Sequence, residues 1–197
     1  IGGYDNLTSI DACILNKHSV QVIVGTRAEL IASAMYNLVA AGPAAEDKPQ
    51  DVPRVALETL LAPVTGEVVA LDQVSDEAFA RKVVGDGLAI RPTDKIVVAP
   101  ADGTIVKIFN TNHAFCLETD KGVEIVVHMG IDTVALNGQG FKCLVEEGAE
   151  VKAGRPILEL DLDFLNANAR SMISPVVVSN AGDYAGLTAL ATGSVVS

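Results

Sequence analysis

From Val55 onward the sequence consists of short β-branched runs broken every few residues by Gly or Pro. Runs of that length are too short for helices and suit strands joined by tight turns. Apolar residues make up 49% of the chain, yet aromatics are only 4% and Trp is absent, so Val, Ile, Ala and Gly must carry the interior. That balance favours a mostly β fold. Its 197 residues allow one good core with a smaller companion.

Three regions follow from texture. Residues 1–42 read as a small α/β segment. Val20-Gln-Val-Ile-Val24 has the pattern of a strand, Thr26 caps a helix with Glu29 at the capping-box position, and Gly42-Pro43 ends that helix. Cys13 stands at the start of an earlier strand. Residues 43–54, rich in Ala, Pro and charge without periodicity, read as a linker. Residues 55–197 form the β domain, with single helical turns expected near Asp76–Arg81 and Phe164–Ala169. Within it, Ala62-Pro-Val-Thr-Gly66-Glu-Val-Val-Ala-Leu71 matches Ala99-Pro-Ala-Asp-Gly103-Thr-Ile-Val-Lys-Ile108 at Ala-Pro, Gly and alternating apolar positions. Two such copies should occupy related places in one β-structure.

The stretch with most chemical promise runs from Phe109 to Phe141. Val123-Glu-Ile-Val-Val-His128-Met129 lies between Gly122 and Gly130 and reads as a buried strand with His128 near its end. His113 lies fifteen residues earlier beside the turn-prone Asn110-Thr111-Asn112, and Glu118–Gly122 reads as a hairpin loop between them. Such a hairpin is antiparallel and can bring the two imidazoles together.

Thr111-Asn112-His113-Ala114-Phe115, followed by Gly122-Val-Glu-Ile-Val-Val-His128-Met-Gly130-Ile-Asp132-Thr133, resembles the active-site signature of the glucose-family enzyme IIA domains of the bacterial phosphoenolpyruvate:sugar phosphotransferase system. The resemblance runs from about Leu60 to about Asn180. It implies an antiparallel β-sandwich of the barrel-sandwich hybrid type, which in the family closes with a further hairpin strand after the Gly193 region, a strand expected to be missing here because the sequence runs only to Val195-Val196-Ser197. Gly2–Ile14 likewise resembles the phosphocysteine motif of the companion IIB domain, and Val22–Ile31 that domain's last strand and helix. The intervening elements, including an arginine-containing run after the cysteine, have no counterpart here. Asp161–Arg170 and the fused IIB-like segment resemble the members that carry N-acetylglucosamine. Sugar selectivity itself would reside in a membrane domain.

The resemblance assigns roles. His128 accepts a phosphoryl group from a histidine phosphocarrier protein, itself charged from phosphoenolpyruvate by enzyme I. His113 assists, Thr111 orients His113, and Cys13 is the next acceptor before the sugar. A partner face is implied around Phe79, Val83, Val84, Phe109, Val126 and Val134, with Asp76 and Asp132 meeting basic residues. The IIB and membrane IIC domains of one permease would be further partners, at the cytoplasmic face of the inner membrane, and no cofactor is implied. The imidazole chemistry agrees: a neutral ring keeps a lone pair at pH 7, and a backbone carbonyl near Gly130 could hold its other nitrogen's proton.

Composition agrees with a basic protein partner. A formal charge of −11 argues against nucleic acid, which needs clustered Lys and Arg. Three cysteines, Cys13, Cys116 and Cys143, have no framework spacing and suit reduced thiols. No apolar run reaches the ~20 residues of a membrane span and no signal-peptide pattern opens the chain, so any membrane part lies outside this sequence. Two other readings use the same residues. His113 and His128 with a carboxylate from Asp132 or from a partner have the ligand types of a zinc site, though not the spacing of a hydrolytic one. The apolar face could also serve as a regulatory binding module that phosphorylation switches off.

Overall fold

The structure, a computed structural model, describes residues 10–16, 19–24, 58–190 and 193–197. The chain divides into two compact units, Ile1–Val52 and Pro53–Ser197. In the first, β1 (Ile10–Asn16) pairs antiparallel with β2 (Ser19–Val24), Cys13 lying opposite Gln21. The expected strand at Val20–Val24 is present, starting one residue earlier. Cys13 falls within β1 rather than at its start. The Cys13 side chain, the helix expected from Thr26 and the 43–54 linker lie outside what is described.

The second unit is one ten-stranded antiparallel sheet curled into a half-barrel. Its strands are β3 (Val64–Val69), β4 (Asp86–Val98), β5 (Gly103–Ile108), β6 (Ala114–Thr119), β7 (Glu124–His128), β8 (Phe141–Cys143), β9 (Glu150–Val151), β10 (Pro156–Leu160), β11 (Ser174–Val178) and β12 (Ser194–Val195). Along the sheet the order is β12-β3-β4-β11-β7-β6-β5-β9. The long β4 changes partner along its length, pairing with β11 over Asp86–Ile90 and with β10 over Ile96–Val98, and β10 in turn holds β8. This handover curls the sheet and sends a short branch, β10 and β8, off its path.

The repeat has a structural counterpart. β3 and β5, which carry its two copies, are each the second strand from an end of the sheet. Its two glycines serve one purpose: a Cβ would meet the Arg91 carbonyl oxygen at 2.1 Å at Gly66 and that of Glu118 at 2.2 Å at Gly103. Only a residue without a side chain lets the neighbouring strand come so close. The Val151-Lys-Ala-Gly154 segment makes a turn between β9 and β10, and Asp102 receives both the Ala153 N–H and the Lys152 ammonium at 2.9 Å.

Both expected helical turns form. α1 (Glu77–Ala80) is capped by Asp76, and α2 (Leu162–Asn168) by Asp161, which accepts from the Phe164 N–H at 3.0 Å. That cap starts α2 two residues before the expected position. The core inside the curl is aliphatic: Ile90, Ile105, Leu117, Ile125, Val127, Ile157 and Leu158, with Phe115, are essentially inaccessible. Alternation along β7 sends Ile125 and Val127 to this core, so Val126 and His128 take the opposite face. The fold thus supplies a rigid strand whose last side chain is directed away from the core.

Candidate active site at the β6–β7 hairpin

β6 and β7 pair in register, Ala114 opposite His128 and Glu118 opposite Glu124. The strands extend past the expected loop boundary to Thr119, leaving a tight turn closed by Gly122 N–H donating to the Thr119 carbonyl at 2.9 Å. At the far end the Met129 N–H donates to the His113 carbonyl at 2.7 Å. That bond adds one more rung to the ladder, so the residue before β6 and the last residue of β7 stand side by side. The two imidazoles meet edge to face, 4.8 Å between centroids at 75°. Phe109 lies 5.6 Å from His113 and Phe79 5.3 Å from His128, making a row of four rings.

Each ring is held by local structure. His128 Nδ1 donates to the Gly130 carbonyl at 2.8 Å. A carbonyl can only accept, so the neutral ring carries its proton on Nδ1 and its lone pair on Nε2. Gly130 has φ +71°, and a Cβ there would approach Ser171 O and Thr133 Cγ2 to 2.8 Å. Its N–H donates to the buried Ser174 hydroxyl at 3.0 Å, and Ile131 N–H donates to the Ser171 carbonyl at 2.8 Å. The carbonyl that fixes His128 is therefore fastened to β11 and to the chain leading into it. Thr133, buried, adds a bond from its hydroxyl to the Met129 carbonyl at 2.8 Å. His113 Nδ1 is hydrogen-bonded to the Thr111 hydroxyl. Asn112 in the left-handed region (φ 54°) turns the chain between them. Phe79 is fixed by the Asp76 carboxylate, which accepts from the N–H groups of Ala78 and Phe79.

Burial governs the electrostatics. His113 is 3% and His128 9% exposed. Desolvation pushes His113 down to about 3, helped by the like charge of His128. It also lowers His128, opposed by the Gly130 carbonyl and by the negative charges of Asp76 and Asp132. Both rings are neutral at pH 7. A neutral imidazole with a fixed Nδ1–H, beside a second imidazole, is an arrangement for nucleophilic attack by Nε2.

The expected partner face divides by exposure. Val83 is 77% exposed, Val134 is exposed and Val84 half-buried, while Asp132 and the half-buried Asp76 flank the histidines. Phe79, Phe109 and Val126 differ from the expectation, since all three are buried. The two phenylalanines are spent on the histidine rings, and Val126 sits within the ladder opposite Cys116 and Val177. In the free domain they support the site, and Phe79 alone of the three keeps more than 1% of its surface exposed. In the zinc reading the third ligand then falls to a partner's carboxylate. Among the described residues no three His, Cys, Asp or Glu side chains are grouped to hold a metal, and Asp132 is ion-paired with Arg170 at 3.2 Å.

Ser174 and Arg170 were not evident from the sequence. Ser174 lies 44 residues from Gly130 at the start of β11, where a serine reads simply as the start of a strand.

Residues 58–184 match the family model described as phosphoenolpyruvate-dependent sugar phosphotransferase system, EIIA 1. The chain is 58% identical to the N-acetylglucosamine-specific EIICBA component of the phosphotransferase system of Escherichia coli K12, covering 100% of this chain and 37% of that protein. The match spans 239 residues against 197 here, so the relative has residues with no counterpart in this chain. This chain therefore spans little more than a third of that relative's length. It is 52% identical to the glucose-specific EIIA component of Borreliella burgdorferi over 68% of this chain and 71% of that one. The glucose permease IIA of Mycoplasma capricolum has the same fold, with TM-score 0.66, 38% identity, and coverage of 71% of this chain and 90% of that one. The ring pair at the hairpin end thus sits in a chain that belongs to the EIIA 1 family of the phosphoenolpyruvate-dependent sugar phosphotransferase system.

Proposed function

We propose that His128 is the phosphoryl acceptor of this domain and His113 its assisting residue. The observation that carries this is the His128 Nδ1 to Gly130 carbonyl bond, which leaves Nε2 as the nucleophilic nitrogen beside a second, neutral imidazole. The Nε2 lone pair attacks the phosphorus of a phosphohistidine on the carrier protein. A P–N bond forms here as the donor's P–N bond breaks, and that bond's electron pair stays on the donor imidazole. With the Thr111 hydroxyl donating to Nδ1, His113 keeps its proton on Nε2 and can donate it to a phosphoryl oxygen.

Such transfers ask mainly for positioning and charge stabilisation. The burial that keeps His128 neutral also limits water at the phosphohistidine. The group then passes to a cysteine thiolate of a B-type domain, forming S–P as N–P breaks, and from there to the sugar. Cys13 is the candidate thiolate in this chain. The IIB and IIC domains of one permease, N-acetylglucosamine as the sugar, and placement at the cytoplasmic face of the inner membrane are supported by the relatives named EIICBA. Among the described residues no helix is long and apolar enough to cross a membrane.

The test is phosphorylation by phosphoenolpyruvate, enzyme I and the histidine carrier, mapped by mass spectrometry under alkaline conditions. Label on His128 that disappears in His128→Ala, and persists without onward transfer in His113→Ala, is expected. Absence of label from folded wild-type protein would overturn the reading.

A further inference from the structure

We propose that Arg170 is a positioning residue that acts through Asp132: it occupies the Asp132 carboxylate as a displaceable counter-cation and so sets how tightly a basic phosphoryl donor docks beside His128. This rests on the acceptor reading of His128 given above. Arg170 Nη1 lies 3.2 Å from Asp132 Oδ2 although the residues are 38 apart in sequence. Their juxtaposition is imposed by the backbone. Ser171, next to Arg170, forms an antiparallel bridge with Ile131, next to Asp132. The pair is thus held together by the same contact that fastens the loop supporting His128.

Two carboxylates place negative charge on His128, those of Asp76 and Asp132. Asp76 caps α1 and is occupied by its N–H groups. Among the described residues, only Asp132 of the two is ion-paired. In a chain of net charge −11 it is a natural point of attachment for a cationic partner beside the acceptor. Both members of the pair are largely in water, with side-chain exposures of 61% and 51%. Exposed pairs of this kind are weak and screened by salt, so an incoming cation can replace Arg170 at small cost. Arg170 is therefore a brake on docking: while it holds Asp132, a partner must displace it before that carboxylate becomes available. Asp132 itself adopts the left-handed region (φ 60°), which Asn tolerates equally well, so Asp132→Asn removes the charge without disturbing the turn.

The test is steady-state phosphoryl transfer from the phosphorylated histidine carrier to the full 197-residue chain, with melting curves to verify folding. Arg170→Gln should lower KM for the carrier about two- to fivefold and leave kcat unchanged. Arg170→Lys should stay near wild type, and the effect should shrink as salt rises. In an Asp132→Asn background, Arg170→Gln should have no effect on KM. An unchanged or raised KM, a fall in kcat, or an equal KM gain in the Asp132→Asn background would overturn the inference while leaving the acceptor reading intact. Failure of wild-type His128 to accept label would overturn both.

Discussion

Replacing Gly130 with alanine should damage stability and transfer together, because one residue sets both. Its φ of +71° lies where an L side chain costs about 1–2 kcal/mol. The added methyl would also stand 2.8 Å from Ser171 O, 2.8 Å from Thr133 Cγ2 and 3.0 Å from Met172 Sδ. Met172 can swing aside. Ser171 O is committed to the Ile131 N–H and Thr133 to the Met129 carbonyl, so those neighbours resist. Crowding of this kind costs about 1–3 kcal/mol, giving a total of about 2–5 kcal/mol. A domain of ordinary stability, about 5–15 kcal/mol, still folds except at the bottom of that range. The relief of crowding must then move the Gly130 carbonyl, and with it His128. A displacement of about 1 Å can cost about 100-fold in rate. Urea unfolding and the rate of phosphoryl acceptance measure the two effects. Gly148→Ala is the control: φ is +86° but nothing lies within 4 Å, so it should lose only about 1–2 kcal/mol. If Gly130→Ala loses no more than Gly148→Ala and accepts phosphate at the wild-type rate, the reasoning fails.

Ser174→Ala leaves the buried Gly130 N–H without its acceptor and should cost about 1–3 kcal/mol in urea unfolding, with slower acceptance at His128. Thr111→Val keeps the side-chain shape but removes the bond to His113 Nδ1. Onward transfer to the thiolate domain should fall about tenfold or more, with acceptance less affected, as single-turnover kinetics would show. The unfolded chain takes a proton at His113 below its ordinary 6.5, whereas the folded protein refuses it until about 3. Folding stability should therefore be fully present above pH 6.5 and decline as pH falls through that interval, by up to about 1.4 kcal/mol per pH unit for this ring. His128, lowered by burial, adds in the same direction. Urea midpoints from pH 7.5 to 4 test this, and His113→Phe should flatten the slope.

What the sequence revealed was local. The β-branched run ending at His128, the hairpin and the turn residues around Asn112 and Gly122 are readable because strand preference and left-handed turns leave their mark within a few residues. The repeat was readable through its glycines. What stayed hidden depends on pairing across the sheet. Nothing local connects Ser174 to Gly130 or Arg170 to Asp132, since β11 reaches β7 only after α2 has intervened. Phe79 and Phe109 entered the partner face through the family resemblance, which carries positions and not exposure. Whether such a side chain covers a ring or faces water is decided by how α1 and the 109–113 turn fold back over β7. The start of α2 lies two residues before the expected Phe164 because the cap that sets it, Asp161, was not part of that expectation.

The decisive measurement is the nitrogen-15 spectrum of the histidine rings before and after phosphorylation. In the free protein near pH 7.5 His128 should show a protonated Nδ1 and a bare Nε2, and after transfer the phosphorus coupling should appear at Nε2. A proton on Nε2 in the free protein, or phosphorus on Nδ1, would contradict the role assigned to the Gly130 carbonyl and to the geometry built around it.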